Sequence, residues 1–215
     1  MTLHRLLRRS RLPVGGRPRR PAPVTLLALA VLALFVPAAA PLRAQADGTV
    51  DVATQSGVEA ALVEARVAEL VNAERARAGL PLLSSDPKLA EVARRHSLDM
   101  AERRFFDHVS PDGKDPERRG LDAGYPCRKS HGTYVTHGLG ENIFQSAVFA
   151  SVTFGSAGAR TYQWMSADEI ARQVVEGWMG SEGHRENVLK RSFDRQGIGV
   201  AITRGGKVYV TQNLC

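Results

Sequence analysis

Helical periodicity fills the early part of this chain and strict alternation appears only at its end, and that order constrains the fold more than any other feature. From Glu59 to Ala78, the residues Val63, Val67, Leu70, Val71 and Ala78 fall near one helical face while Glu and Arg fill the other. Gly79 ends this helix and Pro81 prevents its continuation. A second helix begins at Asp86-Pro87, with Asp as N-cap and Pro where the missing amide costs nothing. Leu89, Val92, Ala93, His96 and Met100 repeat along it at i, i+3, i+4, i+7 and i+11. Ser166 and Glu169 form a capping box that opens a third helix, with Ile170, Val174 and Trp178 on one face and a break near Gly180–Gly183. Between these helices, 105–113 reads as a loop, 116–123 as a short helix, 127–140 as irregular chain, 142–149 as a strand and 155–160 as a flexible loop. At the end, Ile198, Val200 and Ile202 alternate with small residues, Arg204-Gly205-Gly206 turns, and Val208 and Val210 alternate again, which predicts a hairpin. Helices first and antiparallel strands last give an α+β fold, not a parallel βαβ sheet.

The net charge of +7 invites a nucleic-acid partner until the charge is located. Residues 1–46 hold eight arginines and no acid, so the remainder carries 21 basic against 22 acidic residues. A near-neutral domain has no overall field to gather phosphate, so no nucleic acid is expected as a partner. The arginine-rich start is followed by the run Val24–Val36, apolar except for Thr25, and then by small residues ending in Ala44-Gln45-Ala46. Basic, apolar and A-x-A segments in that order are those of a secretory signal peptide over 1–46, with cleavage after Ala46 or alternatively Ala40. The run falls short of the ~20 residues that span a bilayer comfortably. An uncleaved N-terminal anchor is the competing reading; with cleavage, no membrane span remains and the protein is secreted or periplasmic. Residues 47–57 then form a flexible lead-in.

Cys127 and Cys215 are the only cysteines. In an exported chain an even pair points to one disulfide, whereas two free thiols fit a chain that stays inside.

Three segments concentrate ionisable residues and glycine at loop–helix junctions: Phe105-Phe106-Asp107-His108, Gly140-Glu141-Asn142-Ile143, and Trp178-Met179-Gly180-Ser181-Glu182-Gly183-His184-Arg185. They resemble the F-x-H, G-E-N and W-M-x-S-x-G-H-R elements of bacterial CAP domains, the superfamily of cysteine-rich secretory, antigen 5 and pathogenesis-related proteins. Asn187-Val188-Leu189, Leu70-Val71-Asn72 with Arg75, and Gly197-Ile198-Gly199-Val200 extend the likeness in the same order along the chain. The resemblance implies one CAP/SCP domain over 58–215, an α-β-α sandwich with a central antiparallel sheet and a cleft. In many relatives two His and two Glu line that cleft and can hold a divalent metal. His108, Glu141 and His184 match three of the four positions, whereas the fourth is Ser181 here, with Glu182 beside it.

Imidazole and carboxylate are ordinary zinc ligands, so His108, Glu141 and His184 are the candidate metal set, with water completing the shell. His108, Glu141, His184, Ser181 and Glu182 are expected to line the cleft. Ser181 and His184 do not make a serine-hydrolase site, because no G-x-S-x-G elbow accompanies them. His96, on the apolar helix face, is expected to be a satisfied core histidine, and His131 and His137 surface residues. The resemblance implies a non-catalytic extracellular binding module for a lipid, a sterol or another envelope ligand. The alternative is a weak metal-dependent hydrolase in the same cleft, the ion activating water.

Overall fold

The computed structural model describes residues 51–130 and 132–215. The expected signal peptide over 1–46, residues 47–50 and His131 lie outside the described residues. Where a flexible lead-in is expected, the chain instead forms α1 (Val52–Ser56), capped by Asp51, whose carboxylate accepts from the Thr54 amide, and closed by Gly57 at φ 65°. The main helices stand where periodicity puts them: α2 is Ala60–Arg77 and, after the two-residue β1 (Ser84–Ser85), α3 is Pro87–Arg103. Asp86 caps α3 by accepting from the amides of Lys88 and Leu89. The short α4 (Pro116–Asp122) follows. The stretch expected to be irregular holds a small hairpin, β2 (Arg128–Ser130) with β3 (Val135–His137), whose mostly exposed residues leave no burial alternation to detect.

Next come β4 (Gly140–Ala147), a second hairpin of β5 (Phe149–Phe154) and β6 (Arg160–Trp164), then α5 (Ala167–Gly180) and α6 (Glu182–Leu189). The capping box at Ser166 and Glu169 is formed as expected. The terminal hairpin is β7 (Arg195–Ile202) with β8 (Lys207–Leu214). The central sheet runs β1-β7-β8-β4. It is antiparallel except at one edge, where β1 lies parallel to β7.

Alternation along β7 gives the sheet two different faces. Ile198 and Val200 face a core shared with Val63, Val67 and Val71 of α2 and Val174 and Trp178 of α5. Gly197 and Gly199 face the other way, toward α3. A Cβ on Gly199 would stand 2.0 Å from the backbone nitrogen of Arg94, and one on Gly197 2.0 Å from that of Ala90. The glycines therefore let the α3 backbone rest directly on the strand. Helices on both faces of one sheet make the α-β-α sandwich, with β4 as an edge strand.

Two long-range ties close the fold. Cys127 and Cys215 are disulfide-bonded, with Cα atoms 5.7 Å apart, which fastens the last residue of the chain to the start of the β2–β3 hairpin. Arg75 is fully buried at the end of α2 and spends its guanidinium on four carbonyls: Pro81, Val188, Lys190 and Phe193. Burial pushes its pKa down, and those four acceptors replace the water it has lost. Among the described residues no helix is long and apolar enough to cross a membrane.

Candidate functional site

The candidate site wraps around the start of the edge strand β4. Glu141, the second residue of β4, turns onto the α3 face opposite Asn213 of β8. Asn142 turns onto the opposite face. This one-residue alternation lets a single strand hold elements on both sides of the sheet.

Glu141 is the centre of the cluster, its side chain only 1% exposed. Its Oε1 lies 2.9 Å from His108 Nδ1, and its Oε2 accepts from an Arg119 guanidinium nitrogen at 2.6 Å. The Asn213 amide, oriented to donate, reaches Oε2 at 3.1 Å. Arg119 comes from α4 and also donates to the backbone carbonyls of His108, at 2.8 Å, and Lys114, at 2.7 Å. It thus fixes both the carboxylate and the loop that carries His108. Nothing in the local sequence of α4 marks Arg119 for this role, since Arg118 beside it is an arginine too and pairs with Asp122 at the surface.

His96 lies just behind. Its side chain is fully buried in the core as expected, but it is only half satisfied: Nε2 pairs with the Asp107 carbonyl at 3.1 Å, whereas Nδ1 has no hydrogen-bond partner among the described residues. Burial lowers its pKa below the usual imidazole value, and the Arg119 charge lowers it further against the opposing pull of Glu141. A neutral ring at 3.8 Å from Glu141 Oε1 is a neighbour, not an ion pair.

From the other side of β4, the third segment delivers His184. It does not sit at the end of the third helix: the chain breaks at Ser181, and His184 falls in the first turn of α6. Trp178, buried as expected, anchors α5 by donating from Nε1 to the Ile143 carbonyl at 3.1 Å. Asn142 then donates to the His184 carbonyl at 3.2 Å and to Gln212 Oε1 at 2.9 Å. Asn187 donates to the Glu141 carbonyl and to Asn142 Oδ1, at 3.1 and 2.9 Å. The asparagines of the G-E-N and N-V-L segments therefore bind the two halves of the site together, a role their sequence positions alone do not reveal.

The result brings the rings of His108 and His184 to 6.4 Å between centroids, with Glu141 hydrogen-bonded to the first. Burial lowers the pKa of His184, with a further push from His108. Ser181 is half-buried; its amide donates to the Trp178 carbonyl and its own carbonyl accepts from the Arg185 amide. Glu182 is exposed at the first position of α6. Among the described residues no three His, Cys, Asp or Glu side chains are grouped so that they could hold one ion. Beside the cluster, a cavity of about 540 Å³ opens between the β2–β3 hairpin and α6, with Glu141, Asn187, His137 and Lys190 in its wall. His137, expected at the surface, is exposed in β3 and contributes to that wall.

Comparison with known proteins matches this architecture. The YkwD protein of Bacillus subtilis is 35% identical over 150 residues, which make up 69% of this chain and 46% of that protein. The crystal structure of an extracellular SCP-domain protein from Bacillus anthracis superposes with a TM-score of 0.50 at 29% identity, over 71% of this chain and 39% of that one. An outer surface protein of Borrelia burgdorferi shares the fold, with a TM-score of 0.52 at 15% identity over 73% and 94% of the two chains. The chain thus spans less than half the length of the two Bacillus proteins it matches. The sequence pattern of the cysteine-rich secretory protein family covers residues 68–214, from α2 to the end of β8, and the chain belongs to that family, the CAP proteins.

Proposed function

We propose that this protein is exported and works as an extracellular binding module, its ligand contacting His108 and His184 and reaching into the neighbouring cavity, whose wall shares Glu141 with that cluster. The observation that carries this reading is the state of Glu141. Both of its oxygens already accept hydrogen bonds, from His108, Arg119 and Asn213. A general base must lie within reach of the proton it removes, and this carboxylate is 1% exposed with three of its roughly four acceptor positions already engaged. The same bonds make Glu141 an orienting group. With Nδ1 of His108 tied to it, Nε2 is the nitrogen left for a ligand. The cavity volume falls in the range of small-molecule sites.

A divalent ion such as zinc is the cofactor this reading allows between the two imidazoles. A ligating ring has its centroid about 3.2 Å from the metal, so two rings on one tetrahedral ion stand roughly 5–5.5 Å apart. The 6.4 Å between His108 and His184 would have to shorten by about 1 Å for both rings to share one ion. Two nitrogens with water in the remaining positions hold zinc weakly, and when bound the ion would offer a positive anchor to a ligand's polar group. Glu141 is then a support for His108 instead of a third ligand. A lipid or sterol with a polar head, or another envelope component, is the ligand class this arrangement takes.

Export rests on the leader over 1–46, and the buried disulfide suits an oxidising compartment. The N-terminal sequence of protein recovered outside the cytosol should begin at Asp47, or at Pro41; a full-length cytosolic product rejects export. For the site, the wild type and a His108→Ala/His184→Ala variant should be compared in zinc titrations, lipid and sterol binding, and assays on peptides and esters. Zinc should raise the wild-type melting temperature with concentration, and the variant should lose that response. Ligand binding should fall in the variant while hydrolysis stays at background in both. Turnover that disappears with the two histidines would replace the binding module with a hydrolase.

A further inference from the structure

The β5–β6 hairpin has two chemically different faces. Val152 pairs with Tyr162 and Phe154 with Arg160, and a bulge after Phe149 brings that residue onto the same side, opposite Trp164. The reverse side carries Ser151, Thr153, Thr161 and Gln163. On the first side, Tyr162 and Trp164 stack at 4.7 Å with an interplanar angle of 16°, and Phe149 meets Tyr162 edge-on at 5.2 Å. This aromatic face is open: Phe154 is 67% and Trp164 36% exposed. A groove of about 950 Å³, walled by Phe149, Val152, Phe154 and Tyr162, separates this face from α1 and the β7–β8 turn, and Trp164 flanks it through its stack on Tyr162. Arg160 and Arg204 stand in its wall with no acidic residue beside them. Among the described residues neither arginine has an ion-pair partner, although Arg160 lies over the Phe154 ring at 5.8 Å.

We propose that this hairpin is a second binding site, separate from the His108 cleft, and that it takes an acidic polysaccharide. Exposed aromatic side chains gathered on one face beside a groove offer an interaction surface. With Tyr162 and Trp164 stacked on each other, the exposed Phe154 ring and the outer side of Trp164 are the flat surfaces against which the C–H face of a pyranose packs while its hydroxyl edge keeps contact with water. An open groove suits that two-sided ligand. An acyl chain laid there would stay wet along one side and lose much of its hydrophobic gain. The two unpaired arginines select for carboxylate groups, which they grip with two parallel hydrogen bonds.

The chain's two tryptophans make the test direct, because Trp178 is fully buried and Trp164 is not. Acrylamide quenching of the intact protein therefore reports on Trp164. Polygalacturonate should protect Trp164 and dextran, a neutral glycan, should not. Arg160→Gln/Arg204→Gln should weaken polygalacturonate binding about tenfold or more. Raising the salt should weaken it in the wild type without any substitution. His108→Ala/His184→Ala should bind the polymer like the wild type, which separates this site from the cleft. The proposal is overturned if polygalacturonate gives no protection, if dextran protects equally, if the double arginine variant binds unchanged, or if only phosphatidylglycerol vesicles protect Trp164.

Discussion

Glu141 and Arg119 are a carboxylate and a guanidinium taken out of water together, at 1% and 10% side-chain exposure. Such a pair gains little over well-packed apolar residues, but removing one partner strands the other. Arg119→Met should therefore cost about 3 kcal/mol in urea unfolding, and it should also free His108, whose carbonyl and ring partner both depend on this arginine. A change within about half a kcal/mol, the range of an ordinary surface substitution, would show that Glu141 finds its support elsewhere. His96 and His184 set a pH dependence of definite sign. Both are held below the ordinary imidazole value of 6.5, chiefly by burial. As pH falls through that value the unfolded chain takes up protons that the folded chain resists, so stability drops. The urea midpoint should be lower at about pH 5.5 than at about pH 7.5, and His96→Gln should flatten the decline. An unchanged slope in that variant would remove His96 from the account.

The elements stand where they do for reasons of different range. Asp86 and Ser166 start α3 and α5 through bonds to amides within three residues, so those helix starts are visible in the local sequence. Packing α3 onto β7 needs more than amphipathicity, because the glycines of Gly197-Ile198-Gly199 are what allow backbone contact. Gly199→Ala should lower stability by about 3 kcal/mol, since the new methyl meets the backbone of α3 and not a flexible side chain that can swing aside. Circular dichroism melting would check this, and a melting temperature equal to wild type would mean that α3 can lift away freely. The hairpins β2–β3 and β5–β6 are harder to read from sequence for physical reasons. The first is mostly exposed, and the second carries a bulge after Phe149 that breaks the period of two.

At the scale of the whole molecule, the disulfide joins the fold's end to its middle. It closes a loop of 88 residues, and Cys215 is fully buried. In the loop-entropy account, opening it should cost about 4 kcal/mol. Urea unfolding with and without reductant, or with Cys127→Ser/Cys215→Ser, would measure this. A loss under about 1 kcal/mol, well below the loop-entropy value, would mean that β7–β8 pairing alone retains the terminus.

Local interactions make much of this fold legible in the chain itself. Helix caps, the 3.6-residue apolar repeat and the terminal alternation all act over a few residues, so α2, α3, α5 and the β7–β8 hairpin follow from the amino-acid order alone. The family motifs add the candidates His108, Glu141 and His184. Tertiary structure decided the rest: which edge of the sheet β4 occupies, that Arg119 meets Glu141 across 22 residues of sequence, and that Arg75 reaches Phe193 across 118. It also gave Asn142 and Asn187 the work of joining the two sides of the site. The physical reason is that a buried polar group takes whatever partner the packed core brings within about 3 Å, and that choice leaves no periodic trace along the chain.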